Sequence, residues 1–283
     1  MVKVLAWALC PLILLLFIAG CGKEPTDLAG LKKAAAASLE KGENRKALVY
    51  LTKAMSLAPS DKEILMTMAE AYKKEGVTDS ALSYFRRADK LYPRDRRINR
   101  ELIELYRATD NTEGALGAIA VMVATGDNEK IYWPLLAELY TKLNDKKNAA
   151  KYWRFLMIEY PTEPNYYLQY SNALTSLNQY EEANQVLAQT LERFGPAAEG
   201  YANMAVNYLN LRQFDKAEEN FRRSLELNPN SPLTWLNLAN LLSGSDERAK
   251  MEEALGIYQR FRGQAPEAMR LDSLIGALES RLR

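Results

Sequence analysis

The sequence has no histidine and only two cysteines among its 283 residues. Without imidazole there is no Ser-His-Asp or Cys-His catalysis, no histidine metal ligand and no histidine pH switch. Two thiols build neither a disulfide framework nor a four-cysteine zinc site. GxxxxGK[ST], GxGxxG and GxSxG stretches are missing as well, which removes the common phosphate cradles and the nucleophile elbow. Charge of one sign is not in excess: 37 Lys+Arg stand against 36 Asp+Glu. A nucleic-acid binder is usually strongly basic, so that partner class is excluded too. No metal, no cofactor and no enzymatic activity are expected. What is present is 48% hydrophobic and 26% charged residues, the composition of a folded, soluble body.

Residues 1–20 stand apart from the rest. Lys3 precedes an apolar run from Val4 to Ile18, interrupted only by Pro11. That run falls short of the roughly 20 residues a helix needs to cross a bilayer, and suits the core of a signal peptide. An uncleaved membrane anchor is the competing reading. The run ends in Ile18-Ala19-Gly20-Cys21, which resembles a bacterial lipobox. The resemblance implies diacylglyceryl transfer to the Cys21 thiol, cleavage after Gly20, and acylation of the new amino terminus, with palmitate-type chains as the anchor. Each buried methylene contributes about 0.8 kcal/mol, so several chains hold a protein on a membrane almost permanently. Gly22 in place of Asp resembles an outer-membrane sorting signal. The expected location is the bacterial cell envelope, lipid-anchored at the outer membrane and facing the periplasm. Cys10 lies in the discarded segment, and residues 21–27 form a tether reaching at most about 20 Å.

The remainder repeats with a period of 34. Ala47, Ala81, Ala115, Ala149, Ala183 and Ala217 keep that spacing, and Ala254 comes three residues late. Four places after each stands a large apolar residue: Leu51, Phe85, Ile119, Trp153, Leu187, Phe221 and Tyr258. Pro59, Pro93, Pro161, Pro229 and Pro266 follow at twelve places, with Asp127 and Gly195 in the two other slots. Earlier in each unit runs a second pattern, clearest as Trp133-x2-Leu136-Ala137-x2-Tyr140. Apolar residues at positions 4, 7, 8 and 11 make one face of a helix, and those at 20, 24 and 27 one face of a second. The whole resembles the tetratricopeptide repeat. That resemblance implies an all-α solenoid, a right-handed superhelix of seven helix-turn-helix units starting near 28, 62, 96, 130, 164, 198 and 232 and covering 28–266. A capping helix over 267–283, apolar along Leu271, Leu274, Ile275, Leu278 and Leu282, closes the stack. The third unit departs from the pattern, with Asn99 in place of a bulky residue and Ile103 in place of a small one. The acidic pairs Glu181-Glu182, Glu218-Glu219 and Glu252-Glu253 recur near the starts of second helices, where the helix dipole favours them over any catalytic reading.

In this family the first helix of each unit lines a concave groove. The resemblance places Asn165, Gln169, Asn172, Asn203, Asn237 and Asn240 of the last three units on groove positions, and Arg97, Arg100 and Arg107 on those of the third. Asn172 and Asn203 resemble the asparagine pair by which peptide-binding members grip a ligand backbone. An amide offers both a donor and an acceptor, so it matches an extended chain regardless of sequence. Local capping or simple solvation of these amides is the competing reading. Leu168 replaces the lysine that a carboxylate-clamp site would need. The arginines lie in a basic stretch from Arg86 to Arg100, open to an acidic partner segment, a phosphorylated head group or an anionic glycan, or merely solvated. The expected function is a membrane-anchored, non-enzymatic scaffold or adaptor holding an extended or helical segment of an envelope protein, as in pilus, secretion or outer-membrane assembly. The alternative is a polysaccharide- or peptidoglycan-binding lipoprotein of an export system.

Overall fold

The computed structural model describes residues 24–263 and 271–283. Among them every regular element is helical, as the resemblance implied. The signal segment 1–20, Cys21, Pro266 and the beginning of the capping region at 267–270 lie outside the described residues. The chain divides into two compact units, residues 1–126 and 127–283. The first holds three helical hairpins: α1 (Leu28–Glu40) with α2 (Asn44–Leu57), α3 (Lys62–Lys74) with α4 (Thr78–Leu91), and α5 (Arg96–Ala108) with α6 (Thr112–Ala124). The second holds α7 (Trp133–Lys142) with α8 (Lys146–Glu159), α9 (Pro164–Ser176) with α10 (Tyr180–Phe194), α11 (Ala198–Asn210) with α12 (Phe214–Leu227), and α13 (Pro232–Ser243) with α14 (Arg248–Phe261). A final helix, α15 (Leu271–Leu282), packs on α14.

The periodic residues form the core. The signature alanines are buried in every hairpin, and so are the large residues four places on, from Leu51 to Tyr258. A side chain no larger than a methyl lets the two helices of a hairpin approach closely, and the bulky residue fills the space beside it. The last helix buries Leu271, Ile275 and Leu278 against the core of the seventh hairpin, which also contains Leu242, Met251 and Phe261. The apolar face of the seventh hairpin is thereby covered.

The first six hairpins turn by the same device. Gly42, Gly76, Asp110, Asn144, Asn178 and Arg212, spaced by 34, all have positive φ of 55–75°. Each lies one residue ahead of an amide that reaches back across the turn, as in Val77 N–H to Tyr72 O at 2.9 Å and Gln213 N–H to Tyr208 O at 2.9 Å. This is the left-handed helix ending that Gly tolerates freely and Asn or Asp with little cost. Arg212 is the exception. First helices begin on side-chain caps in the first unit: Asp27 accepts from Gly30 N–H, Asp61 from Ile64 N–H, and Asp95 from Arg97 and Ile98 N–H. In the fourth hairpin, Pro164's counterpart slot is filled differently: a 3-10 turn over Glu129–Tyr132 leads into α7, with Pro134 in the first α turn. Two residues of the tether are engaged. Asp27 caps α1, and Glu24 pairs with Lys53 on α2 at 2.7 Å.

One departure from the pattern has a structural account, and one expectation needs correction. Asn99 fills the slot of a bulky residue with an amide. It is buried, donating to the Asp95 carbonyl at 3.0 Å and to Asp89 Oδ1 at 3.3 Å, so a polar knot replaces the apolar plug. The helix-dipole account holds for Glu181 and Glu182, which lie in the first turn of α10. It fails for Glu218-Glu219 and Glu252-Glu253, which sit a turn further in, where the dipole has faded. Three of those four make ion pairs instead. Arg222 holds Glu253 through two nitrogens at 2.9 and 2.7 Å and Glu218 at 3.0 Å, Lys250 reaches Glu218 at 3.1 Å, and Arg248 pairs with Glu252. Burial works against ionising Glu218, but Lys250 and Arg222 outweigh it and hold its carboxyl below the usual range.

Candidate partner-binding groove

Within each unit, first helices of neighbouring hairpins lie near enough for side chains to meet, as α1 with α3, α3 with α5 and α9 with α11 show. In the first unit those side chains are charged and already paired. Lys32 on α1 meets Asp61 and Glu63 at the start of α3, Arg97 on α5 meets Glu70 on α3 at 2.9 Å, and Lys73 on α3 meets Glu101 on α5 at 2.7 Å. Arg107 leans on Glu104 within α5 at 3.7 Å. Of the three predicted groove arginines, only Arg100 has no partner among the described residues; it is exposed. Two of the three groove arginines, Arg97 and Arg107, are therefore engaged by carboxylates rather than open to a ligand. Arg87 is likewise occupied, donating to the Pro59 carbonyl at 2.7 Å.

The second unit presents amides. Asn203 Nδ2 on α11 donates to Asn172 Oδ1 on α9 at 2.9 Å. That single bond uses one donor and one acceptor. Asn172 Nδ2 and Asn203 Oδ1 remain, half-buried and side by side, as one donor and one acceptor in a fixed relation. Gln169 and Asn165 make a long contact of 3.5 Å one turn earlier on α9. Asn237 on α13 is half-buried with no partner among the described residues. Asn240 is committed inward: its Oδ1 accepts the Tyr258 hydroxyl at 2.7 Å.

Beyond the pair runs a buried chain that sequence reasoning missed. Thr175 Oγ1 donates to Asn207 Oδ1 at 2.7 Å, and Asn207 Nδ2 donates to Asn184 Oδ1 at 2.9 Å. Asn207 is fully buried, and Asn184 nearly so. Asn207 is satisfied on both sides, which favours this arrangement because a slip would leave its buried amide unpaired, while Asn184 Nδ2 at the end of the chain is buried without a hydrogen-bond partner. The chain ties α9, α10 and α11 together about one turn further along α9 and α11 than Asn172 and Asn203. The available signal was Asn207 at position 10 of its unit, where the fourth and fifth units have Leu139 and Ala173.

A cleft of about 390 Å³ opens beside Asn172, floored by Trp153 and Ala149 and edged by Thr141, Lys146 and Ser176. The Trp153 indole N–H donates to Thr141 Oγ1 at 3.1 Å, which fixes the ring. No group of acidic or thiol side chains suited to a metal occurs among the described residues. The arrangement offers hydrogen bonds to a backbone and a shallow apolar seat, with no nucleophile and base set facing one another.

Three tetratricopeptide repeat family models match the sequence, over residues 61–195, 198–231 and 220–269. The chain is a tetratricopeptide repeat protein. None of the curated proteins matches it. Solved tetratricopeptide structures resemble its fold. YrrB, described as a tetratricopeptide protein with an unusual peptide-binding site, is 18% identical with a TM-score of 0.50, covering 65% of this chain and 95% of its own. A tetratricopeptide repeat protein from Parabacteroides merdae is 13% identical with a TM-score of 0.47, covering 89% of this chain and 98% of its own. The tetratricopeptide fold supports a role as a protein-interaction scaffold, and no catalytic family is indicated.

Proposed function

We propose that this tetratricopeptide protein is a membrane-anchored, non-enzymatic scaffold of the bacterial cell envelope, which holds an extended segment of a partner protein on the first helices of its fifth to seventh repeats. The observation that carries the reading is the Asn172–Asn203 contact of 2.9 Å, which leaves one amide donor and one carbonyl acceptor facing outward. Extended backbone presents N–H and C=O groups in alternation, so a preset donor and acceptor fit it without reading its side chains. The buried chain about one turn further along ties α9 to α11 before the ligand arrives, which lowers the ordering cost of binding. The peptide-binding site named for YrrB agrees with this reading by fold alone.

Anchoring rests on the sequence of residues 1–21. Among the described residues no helix is long and apolar enough to cross a membrane. Lipid on Cys21 supplies the attachment, and a scaffold fixed at a surface raises the local concentration of its partner there. The outer membrane, facing the periplasm, is the location we favour. The anionic-glycan alternative has less support, since Arg97 and Arg107 already face carboxylates.

Two experiments test the proposal. Cys21→Ser should abolish fatty-acyl labelling and leave precursor-length protein; normal labelling would refute the anchor. Affinity purification from detergent-solubilised envelopes should recover a stoichiometric partner with wild type and lose it with Asn172→Ala/Asn203→Ala. Equal recovery with both would refute recognition by the amide pair.

A further inference from the structure

The cleft beside Asn172 has a counterpart two repeats on. A second opening, about 930 Å³, lies between the turn of the sixth hairpin and the end of α13. The two are built from the same repeat positions, 68 residues apart: Thr141 matches Leu209, Lys146 matches Phe214, and Asn172 matches Asn240. Their charges differ. The first has Lys146 on its edge, exposed and without an ion pair among the described residues. Its acidic neighbour Asp145 is spent on capping α8, accepting from the Asn148 backbone and side chain at 3.1 and 2.7 Å. The second has Asp215, Glu218 and Glu247 against Lys250. Glu218 and Glu247 are held by Lys250, whereas Asp215 is exposed with no ion pair among the described residues, and Phe214, 54% exposed, lines the same cleft. A carboxylate next to an open aromatic face suits a guanidinium, which pairs with the one and stacks on the other. One wall of this cleft is kept in place by Arg281 of α15, which donates to the carbonyls of Ser243 and Ser245 at 2.6 and 3.0 Å.

Between the clefts the groove positions of α9, α11 and α13 are amide, hydroxyl or apolar, apart from Glu199 at the start of α11. Building on the groove reading above, we infer that the bound segment is a charge-polarised peptide. An acidic side chain sits at Lys146, a basic side chain, with arginine the best fit, sits at Asp215, and uncharged residues lie between. The amide pair supplies backbone affinity and the two rim charges set direction. Unlike charges meet and like charges repel only when the segment runs one way.

The test is a selection from a library of random biotinylated dodecapeptides on the immobilised full-length protein in detergent micelles. The recovered pool should be enriched in sequences with one Asp or Glu and one Arg or Lys separated by uncharged residues, all in the same order along the peptide. Lys146→Glu/Asp215→Lys exchanges two exposed charges, so the fold should persist, as a thermal melt by circular dichroism would check. This variant should select the opposite order, and a wild-type peptide should bind it about tenfold or more weakly. A wild-type pool without charge order, or one unchanged by the exchange, would overturn the inference. If such an uncharged pool still required Asn172 and Asn203, the groove reading would survive alone. Recovery of no peptide, or of the same pool with Asn172→Ala/Asn203→Ala, would overturn both.

Discussion

The second and third repeats and the fifth and sixth place polar side chains at equivalent positions of their first helices and use them in opposite ways. On α3 and α5, Glu70, Lys73, Arg97 and Glu101 satisfy one another across neighbouring repeats. On α9 and α11, Asn172 and Asn203 touch and keep a donor and an acceptor outward. A paired surface must break its own contacts before it binds anything, whereas a half-satisfied one has hydrogen bonds to give. The same backbone pattern thus carries a self-contained face and a receptive one, which is why the fold by itself does not assign a function. The difference continues inward. Among the described residues of the first unit the buried polar side chains are Ser38 and Asn99, while the second holds the Thr175–Asn207–Asn184 chain.

The comparison can be broken most forcefully through the core. Phe85→Ala and Phe221→Ala each remove a fully buried ring and should cost about 3–5 kcal/mol. Because neighbouring repeats support one another, hydrogen exchange should show loss of protection centred on α3–α5 for the first and on α11–α13 for the second. Uniform loss in both would show that the two regions unfold as one body.

Next in size is the buried amide chain. Asn207→Ala would leave the Asn184 amide without its partner, while Thr175 keeps the Ser171 carbonyl at 3.0 Å, and should cost about 1–3 kcal/mol in denaturant unfolding. The same experiment on Glu70→Gln, in an exposed ion pair, should give about 0–1 kcal/mol, because solvent and salt screen such pairs. Similar costs for the two would erase the distinction between a rigid amide platform and a loose ionic surface.

Acid should sharpen the contrast. Burial disfavours the charged form of Asp95, but Lys62 and the amides of Ile98 and Arg97 more than compensate, so its folded pKa lies below 3.8. A lowered pKa means the contribution is complete above the unfolded value and is lost as pH falls through the folded one. Asp61 behaves alike, opposed by burial and favoured by Ile64 N–H and Lys32. Asp95→Ala should therefore cost about 1 kcal/mol at neutral pH, the worth of a helix cap, and progressively less below about pH 4. A cost that does not change with pH would contradict the assignment. The smallest effect concerns Arg212, the one long side chain in the left-handed turn position. Arg212→Gly should raise stability by roughly 0.5–1 kcal/mol, measured by thermal unfolding.

Sequence periodicity was enough for the hairpins, because burial repeats: Ala81 and Phe85 recur as Ala217 and Phe221 and must pack alike. It was poorer at the groove. Position along a helix says which side chains share a face, but not whether they spend their bonds on each other. Arg97 and Asn203 look equally available in the sequence, and so does Asn240, yet Glu70 occupies Arg97 and Tyr258 occupies Asn240. The left-handed turns carried a 34-residue signal of their own in Gly42, Gly76, Asp110, Asn144 and Asn178, obscured because three residue types fill one backbone role. Arg281 gave no signal at all, since its partners are carbonyl oxygens of a lengthened turn some 36–38 residues away.

The central claim is that partner recognition belongs to the amide face and not to the ionic one. Site-specific photo-cross-linking in the native envelope tests it directly, with a photoreactive amino acid placed at Asn237 on α13, or at Arg100, exposed on α5 with its ion-paired neighbours. The account expects one discrete adduct from position 237, lost when Asn172 and Asn203 are both replaced by Ala, and none of that mass from position 100. The same adduct formed from position 100, or an adduct at 237 indifferent to the asparagines, would contradict it.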